Sequence, residues 1–144
     1  MGLDNYIRVK PKTERGEKFL REYMISKEPG YFRKAWNIRQ RFIDVLEDLG
    51  YKVDDNYCTS INIADIPDIV DNVLKYFLIE ENWEYNDNRS AVFSWEDMIP
   101  SIGHCIHDLR SLYNSIISVN NGEDDNFPSG IGDADIELEF IDSY

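Results

Sequence analysis

Apolar residues recur at helical spacing in four segments of this chain, and the clearest of them covers residues 31–51. Pro29 and Gly30 precede that segment, and Gly50 follows its last apolar residues, where helices commonly close in a left-handed conformation. We therefore predict a helix with one apolar and one polar face over this stretch. Pro100 is expected to kink the last helix or to delay its start. The other three predicted helices cover about residues 13–26, 65–82 and 94–119.

Other segments alternate between apolar and polar residues, which is the pattern of half-buried strands. The stretch 83–93 is aromatic and polar around a turn and favours a hairpin, whereas 120–134 is rich in Asn, Gly and Asp and predicts an acidic loop. The whole pattern predicts a single α+β domain over residues 1–144, with about four helices and a small antiparallel sheet of two to four short strands. The three alternating segments are 5–10, 57–63 and 135–141.

The charges of the predicted helix 31–51 run against its dipole. Arg33 and Lys34 fall in its first turn, and Asp44, Glu47 and Asp48 fall in its last two turns. Each such charge costs a few tenths of a kcal/mol, up to about 1 kcal/mol where screening is weak. Contacts with the rest of the protein or with a partner offset this cost, or the helix simply tolerates it.

The formal net charge of −13 is large for a chain of 144 residues, and it is unevenly distributed. Residues 1–52 hold 12 basic and 8 acidic residues, a net charge of +4, whereas residues 53–144 hold 3 basic and 20 acidic residues, a net charge of −17. Such a charge disfavours direct binding to nucleic acid or to an anionic membrane. The asymmetry instead suggests a partner that is attracted by charge.

The sequence has no recognisable targeting or membrane-insertion signal. The first residues are polar, no apolar run reaches the length of a membrane span, and Tyr6 stands where a myristoylation signal requires Ser or Thr. Cys58 and Cys105 do not have the spacing of a disulfide framework. We expect a cytoplasmic protein in a reducing environment.

The candidates for catalysis or metal binding are few. On a helix His104, His107 and Asp108 share one polar face, and two histidines with a carboxylate are a known zinc or iron set. The competing interpretation is a pair of solvated histidines, with Cys105 buried on the apolar side. A nucleophilic pair of Cys58 with either histidine is the remaining enzymatic option. We expect no metal, no cofactor and no catalytic activity.

Rows of carboxylates are the strongest functional signal in the chain. Side chains on one face of a strand repeat about every 6.6–6.8 Å, similar to successive phosphates of a nucleic-acid strand. A surface of this kind suits the basic groove of a nucleic-acid enzyme, and the competing interpretation is solvated surface that keeps the protein soluble. The candidate partner-binding residues lie on the last strand and on and after the third helix: Asp135, Glu137, Glu139, Asp65, Asp68, Asp71, Glu80, Glu81 and Glu84.

A second candidate surface is basic and aromatic. It predicts contacts with an acidic partner, or with a second copy of the chain, through a hot spot of aromatic and arginine side chains. The competing interpretation is that these bases pair with acids of the same chain. Its residues are Tyr31, Phe32, Arg33, Lys34 and Arg41.

The opening Met1, Gly2, Leu3, Asp4 and the run Tyr31, Phe32, Arg33, Lys34, Ala35, with Ile38 and Phe42, resemble small acidic phage-encoded proteins of unknown activity. The likeness extends to Tyr57, Cys58 and Ser60. It departs at Phe32, Trp36 and Arg39, where the group has Trp, Asn and His. The resemblance implies a viral gene product that works in a bacterial cytoplasm.

Together these observations lead to one hypothesis and one alternative. The hypothesis is a non-enzymatic phage accessory protein, directed against host defence, whose acidic face mimics nucleic acid. It would bind and inhibit a host nucleic-acid-handling or defence protein that has a basic surface. The alternative is an interaction or assembly module, a homodimer or an antitoxin-like partner, which uses the basic aromatic helix 31–49.

Overall fold

The computed structural model describes residues 4–33, 35–53, 57–79 and 95–143. Among these residues, four strands form one antiparallel sheet in the spatial order β2-β1-β4-β3. The predicted α+β class and antiparallel sheet are therefore confirmed. The strands are β1 (Asp4–Pro11), β2 (Gly30–Arg33), β3 (Cys58–Ile61) and β4 (Ile136–Ser143).

The longer helices are α1 (Glu14–Glu22), α2 (Trp36–Asp48) and α4 (Trp95–Asn120), and a short helix α3 covers Ile66–Ile69. Helix α1 begins as predicted, because the hydroxyl of Thr13 accepts a hydrogen bond from the Gly16 amide at 3.1 Å. Helix α4 contains Pro100 and continues through it. The predicted hairpin at 83–93 lies outside the described residues.

The predicted start of the second helix is wrong. Residues Gly30–Arg33 form strand β2, which pairs with β1, and helix α2 begins only at Trp36. In the strand Phe32 points into the core and is fully buried, while Tyr31 and Arg33 point outward. Arg33 therefore does not oppose the helix dipole, whereas the acidic end of α2 does. The predicted closing residue is confirmed, since Gly50 has φ +101°.

In place of the predicted helix 65–82, the segment 63–78 keeps the apolar stripe as far as Phe77 but is not one regular α-helix, and Leu78, which was predicted to extend the stripe, is exposed. Helix α3 continues into a π-helical stretch, Val70–Leu74, and then into a 3₁₀ turn, Lys75–Leu78. The stripe from Ile66 to Phe77 is nevertheless buried. The apolar period therefore predicts the buried side of this segment but not the winding of its backbone.

One hydrophobic core joins the sheet to the helices. In the middle of it the ring of Phe42 on α2 stacks on that of Phe140 on β4, with centroids 5.0 Å apart. Helix α4 crosses β2 so closely that a Cβ atom on Gly30 would lie 2.7 Å from the sulfur of Cys105. The core covers one face of the sheet, as the alternating burial along β1 shows.

Candidate partner-binding surfaces

Asp135 does not belong to a row of exposed carboxylates. It lies in the turn before β4 and is only 8% exposed. Its carboxylate accepts hydrogen bonds from the hydroxyl of Thr13 at 2.8 Å and from the amide of Gly132 at 3.4 Å. Asp135 therefore anchors the start of α1 to the turn, and the prediction that it is an exposed phosphate surrogate is wrong.

Glu139 is also buried, with 3% of its surface exposed. It lies opposite Arg8 in the register of β1 and β4, and Arg8 Nε donates to its carboxylate at 3.0 Å. Lys10 Nζ lies 3.4 Å from the same carboxylate, and the thiol of Cys58 on β3 donates to its other oxygen. Glu139 is thus neutralised within the sheet.

Glu137 is the most accessible of the three carboxylates that were predicted to form a row. Lys10 Nζ lies 3.5 Å from it, and the hydroxyl of Ser60 donates to it at 2.7 Å. The expected acidic strip along β4 is therefore wrong, because the neighbouring strand β1 supplies Arg8 and Lys10 on the same face.

The environment of Glu139 also fixes its protonation. Burial alone raises the pKa of this carboxyl, but the hydrogen bonds from Cys58 and Arg8 and the charges of Arg8 and Lys10 outweigh burial and hold the pKa below its ordinary value of 4.5. A carboxyl with a depressed pKa in the folded state stabilises the protein above the unfolded-state pKa. That stability disappears as the pH falls through the folded-state pKa.

We expect Glu139→Gln to destabilise the protein by about 1–3 kcal/mol at neutral pH, because it removes the negative charge between Arg8 and Lys10. The loss stays in this range because Arg8 and Lys10 are partly exposed and water can solvate them in the variant. Urea titrations at pH 7 and at a pH well below 4.5 measure this effect. The difference between wild type and variant should shrink at acid pH. Glu137→Gln is the matched control and should cost less than about 1 kcal/mol. Equal losses at both pH values would contradict a charge effect.

The carboxylates of segment 63–78 have different surroundings. Asp68 and Asp71 are exposed, and Asp71 pairs with Lys75 one turn later at 2.9 Å. Asp65 is partly buried and accepts a hydrogen bond from the hydroxyl of Tyr51. Burial and this bond raise the pKa of Tyr51 to about 12, so its hydroxyl remains a donor at neutral pH.

The bond between Tyr51 and Asp65 brings the end of α2 next to segment 63–78, and Arg41 on α2 donates to the carbonyl oxygen of Asn72 at 2.9 Å. Exposed acids lie on both of these packed elements, Asp44 and Asp48 on α2 and Asp68 and Asp71 on the segment. We call this set the helical acidic surface. It consists of Asp44, Asp48, Asp65, Asp68 and Asp71. The predicted continuation through Glu80, Glu81 and Glu84 lies outside the described residues.

The basic aromatic residues do not form one patch. Tyr31 and Arg33 lie on the sheet, where Arg33 Nε is 3.9 Å from Asp4, whereas Arg41 stacks over the ring of Tyr76 at 4.5 Å. Phe32 is part of the core, so the prediction that it contacts a partner is wrong. Lys34 lies outside the described residues.

The candidate chemical residues do not assemble into a reactive centre. His104 and His107 are exposed, and His104 pairs with Asp108, at 3.5 Å. Within the described part of the chain, no group of three or more His, Cys, Asp or Glu residues is placed to hold a metal ion. Burial, followed by the bond to Glu139, raises the pKa of the Cys58 thiol to about 11, so it lacks the thiolate of a nucleophile at neutral pH.

Comparisons with known proteins identify neither a family nor a function for this chain. No protein-family model, curated protein or solved structure matches this chain. Within the described ranges, no helix has both the length and the apolar composition needed to cross a membrane. The interpretation of function therefore depends on the charges and surfaces described above.

Proposed function

We propose that this chain is a non-enzymatic phage accessory protein of the bacterial cytoplasm. It binds and inhibits a host nucleic-acid-handling or defence protein through its helical acidic surface. The observation that carries the proposal is the contrast between two sets of carboxylates. Glu139 is buried and ion-paired within the sheet, whereas Asp44, Asp48, Asp68 and Asp71 on the helical elements are exposed, and of these Asp71 pairs with the exposed Lys75.

Charge attraction and competition for a phosphate-binding groove both favour such an interaction. Exposed carboxylates on a chain with a net charge of −13 attract a basic groove and speed the encounter. A groove that normally holds phosphates is then occupied by carboxylates, which accept the same hydrogen bonds from Arg and Lys. Binding of this kind weakens as salt screens the charges.

We expect the double variant Asp68→Lys, Asp71→Lys to weaken binding by at least about tenfold while the protein stays folded, because both side chains are exposed and the reversal repels a basic groove. The test is capture of proteins from a bacterial lysate on immobilised wild type and variant, washed first at low and then at high salt. A nucleic-acid enzyme that is retained by wild type at low salt should be missing from the variant.

The matched control is Glu22→Lys, Asp125→Lys, which makes the same change in net charge at two exposed positions on α1 and in the acidic loop. This control should retain the captured enzyme. Equal loss in both variants would mean that net charge alone governs binding. Unchanged capture by the Asp68→Lys, Asp71→Lys protein would contradict the assignment of the helical acidic surface.

A further inference from the structure

The face of the sheet opposite the core forms a second surface. Along β1 and β2 the inward residues are buried, and the outward residues are half-buried or exposed. The described helices pack through the buried residues of the other face. We call this second surface the outer sheet face. Its residues are Asp4, Tyr6, Arg8, Lys10, Tyr31, Arg33, Tyr57, Cys58, Ser60, Glu137, Glu139 and Ile141.

Three tyrosines form an aromatic cluster on the outer sheet face. The rings of Tyr6 and Tyr31 stack with centroids 6.1 Å apart, and the hydroxyls of Tyr6 and Tyr57 lie 3.4 Å apart. Tyr31 is 44% exposed and Tyr57 58% exposed. Ile141 lies between Tyr6 and Cys58 in the strand register and is fully buried, although it is not part of the main core. Ile141 thus supports the tyrosines from below, and exposed tyrosines are enriched in the middle of protein interfaces.

The outer sheet face is electrically balanced. Its three acids are matched by three bases, and the ion pairs join Asp4 to Arg33, Glu139 to Arg8, and Lys10 to both glutamates at 3.0–3.9 Å. Nucleic acid gains little binding free energy from Arg and Lys side chains that are already ion-paired. A basic protein likewise gains little from carboxylates that are already ion-paired. In a chain with a net charge of −13, this face is where a second copy meets little repulsion.

The charges at one end of the face also suit a second copy. Asp4 and Arg33 lie opposite each other on β1 and β2, and their side chains are 34% and 55% exposed. In a two-fold dimer whose axis lies beside this pair, Arg33 of one copy faces Asp4 of the other. We propose that two copies of this chain pair through their outer sheet faces, with the axis between the Asp4–Arg33 pair and the adjacent Tyr6 and Tyr31, so that the Asp4–Arg33 pairs are exchanged between copies.

This pairing goes beyond the proposed inhibitory function and does not depend on it. Because the helices lie on the opposite side of the sheet, both helical acidic surfaces remain exposed in the dimer. A dimer then presents two copies of the same surface, which increases avidity for a partner that has two basic grooves.

The test is the molar mass of the purified full chain, measured by light scattering after size exclusion and by sedimentation over a range of concentrations. Wild type should have the mass of a dimer. Tyr31→Glu, Tyr57→Glu should shift it to a monomer, with a dissociation constant raised at least about tenfold. Ile117→Glu is the matched control, since Ile117 is 41% exposed on α4, and it should remain a dimer. Circular dichroism confirms that each variant is folded.

A charge exchange keeps the test decisive if the tyrosine variant does not fold. Arg33→Asp alone should weaken the dimer, and adding Asp4→Arg should restore it. A wild-type protein that stays monomeric at several hundred micromolar, or a dimer that persists in the tyrosine and Arg33 variants, would overturn the proposal. A monomer whose tyrosine variant loses a captured protein would assign the face to another partner and would also overturn self-pairing.

Discussion

Truncating Phe42 to alanine is expected to lower the free energy of unfolding by about 3–5 kcal/mol. The side chain is fully buried, and its ring stacks on that of Phe140 of β4 with centroids 5.0 Å apart. The centroid of the Phe32 ring on β2 lies 6.3 Å away. Alanine would remove the ring that joins helix α2 to two strands and leave a cavity in the middle of the core. Since most domains are stable by only about 5–15 kcal/mol, much of the total would be lost.

Urea denaturation followed by circular dichroism measures this loss. Phe42→Leu is the matched control, because it keeps most of the apolar volume, and it should cost less than the alanine variant. A loss below about 1 kcal/mol for Phe42→Ala would contradict the position of this ring in the core.

Gly16→Ala is expected to destabilise the protein by roughly 3 kcal/mol, although alanine normally stabilises a helix relative to glycine. Gly16 lies in α1, and a Cβ atom there would overlap the backbone carbonyl of Asp135. Backbone atoms cannot move aside as a flexible side chain does, so the helix would have to separate from the turn before β4.

Gly103→Ala is the matched control for this effect. Gly103 lies in α4 with open space around the position of a Cβ atom, so the same substitution should stabilise the protein by up to about 1 kcal/mol. Thermal denaturation of the two variants should therefore give shifts of opposite sign. Two shifts of the same sign would contradict the close packing of α1 against Asp135.

The class of the fold follows from periodicity, but two details do not. Residues 31–33 precede a helical pattern, and three residues are too few to distinguish a period of two from one of 3.6. Pairing with β1 decides the outcome, because it buries Phe32 and exposes Tyr31. In segment 63–78 the pattern identifies the buried stripe, but an apolar period does not distinguish α-helical from π-helical winding over five residues.

The candidate site was harder to predict than the fold. Alternation correctly places Glu137 and Glu139 on one face of β4, but the charge of that face also depends on the strand beside it. A sequence signal was available: Arg8 and Lys10 alternate on β1 with the same period as the two glutamates. It becomes informative only once β1 is paired with β4, and these strands lie at opposite ends of the chain.

These pairings change where a partner is expected to bind. The sheet neutralises its own charges and leaves a tyrosine-rich face, whereas Asp44 and Asp48 of α2 and Asp68 and Asp71 of segment 63–78 are exposed. Substitutions on one surface should therefore leave the function of the other intact. Mass measurements report on the outer sheet face, and capture experiments report on the helical acidic surface.

The most direct test of the inhibitory account is competition with nucleic acid. Immobilised wild-type protein is loaded with bacterial lysate at low salt, washed, and then eluted with a short DNA duplex. The account predicts that the duplex releases a nucleic-acid enzyme, that high salt releases the same enzyme, and that the Asp68→Lys, Asp71→Lys protein never retains it. A captured protein that resists both duplex and salt, or recovery of the immobilised protein alone, would contradict nucleic-acid mimicry by the helical acidic surface.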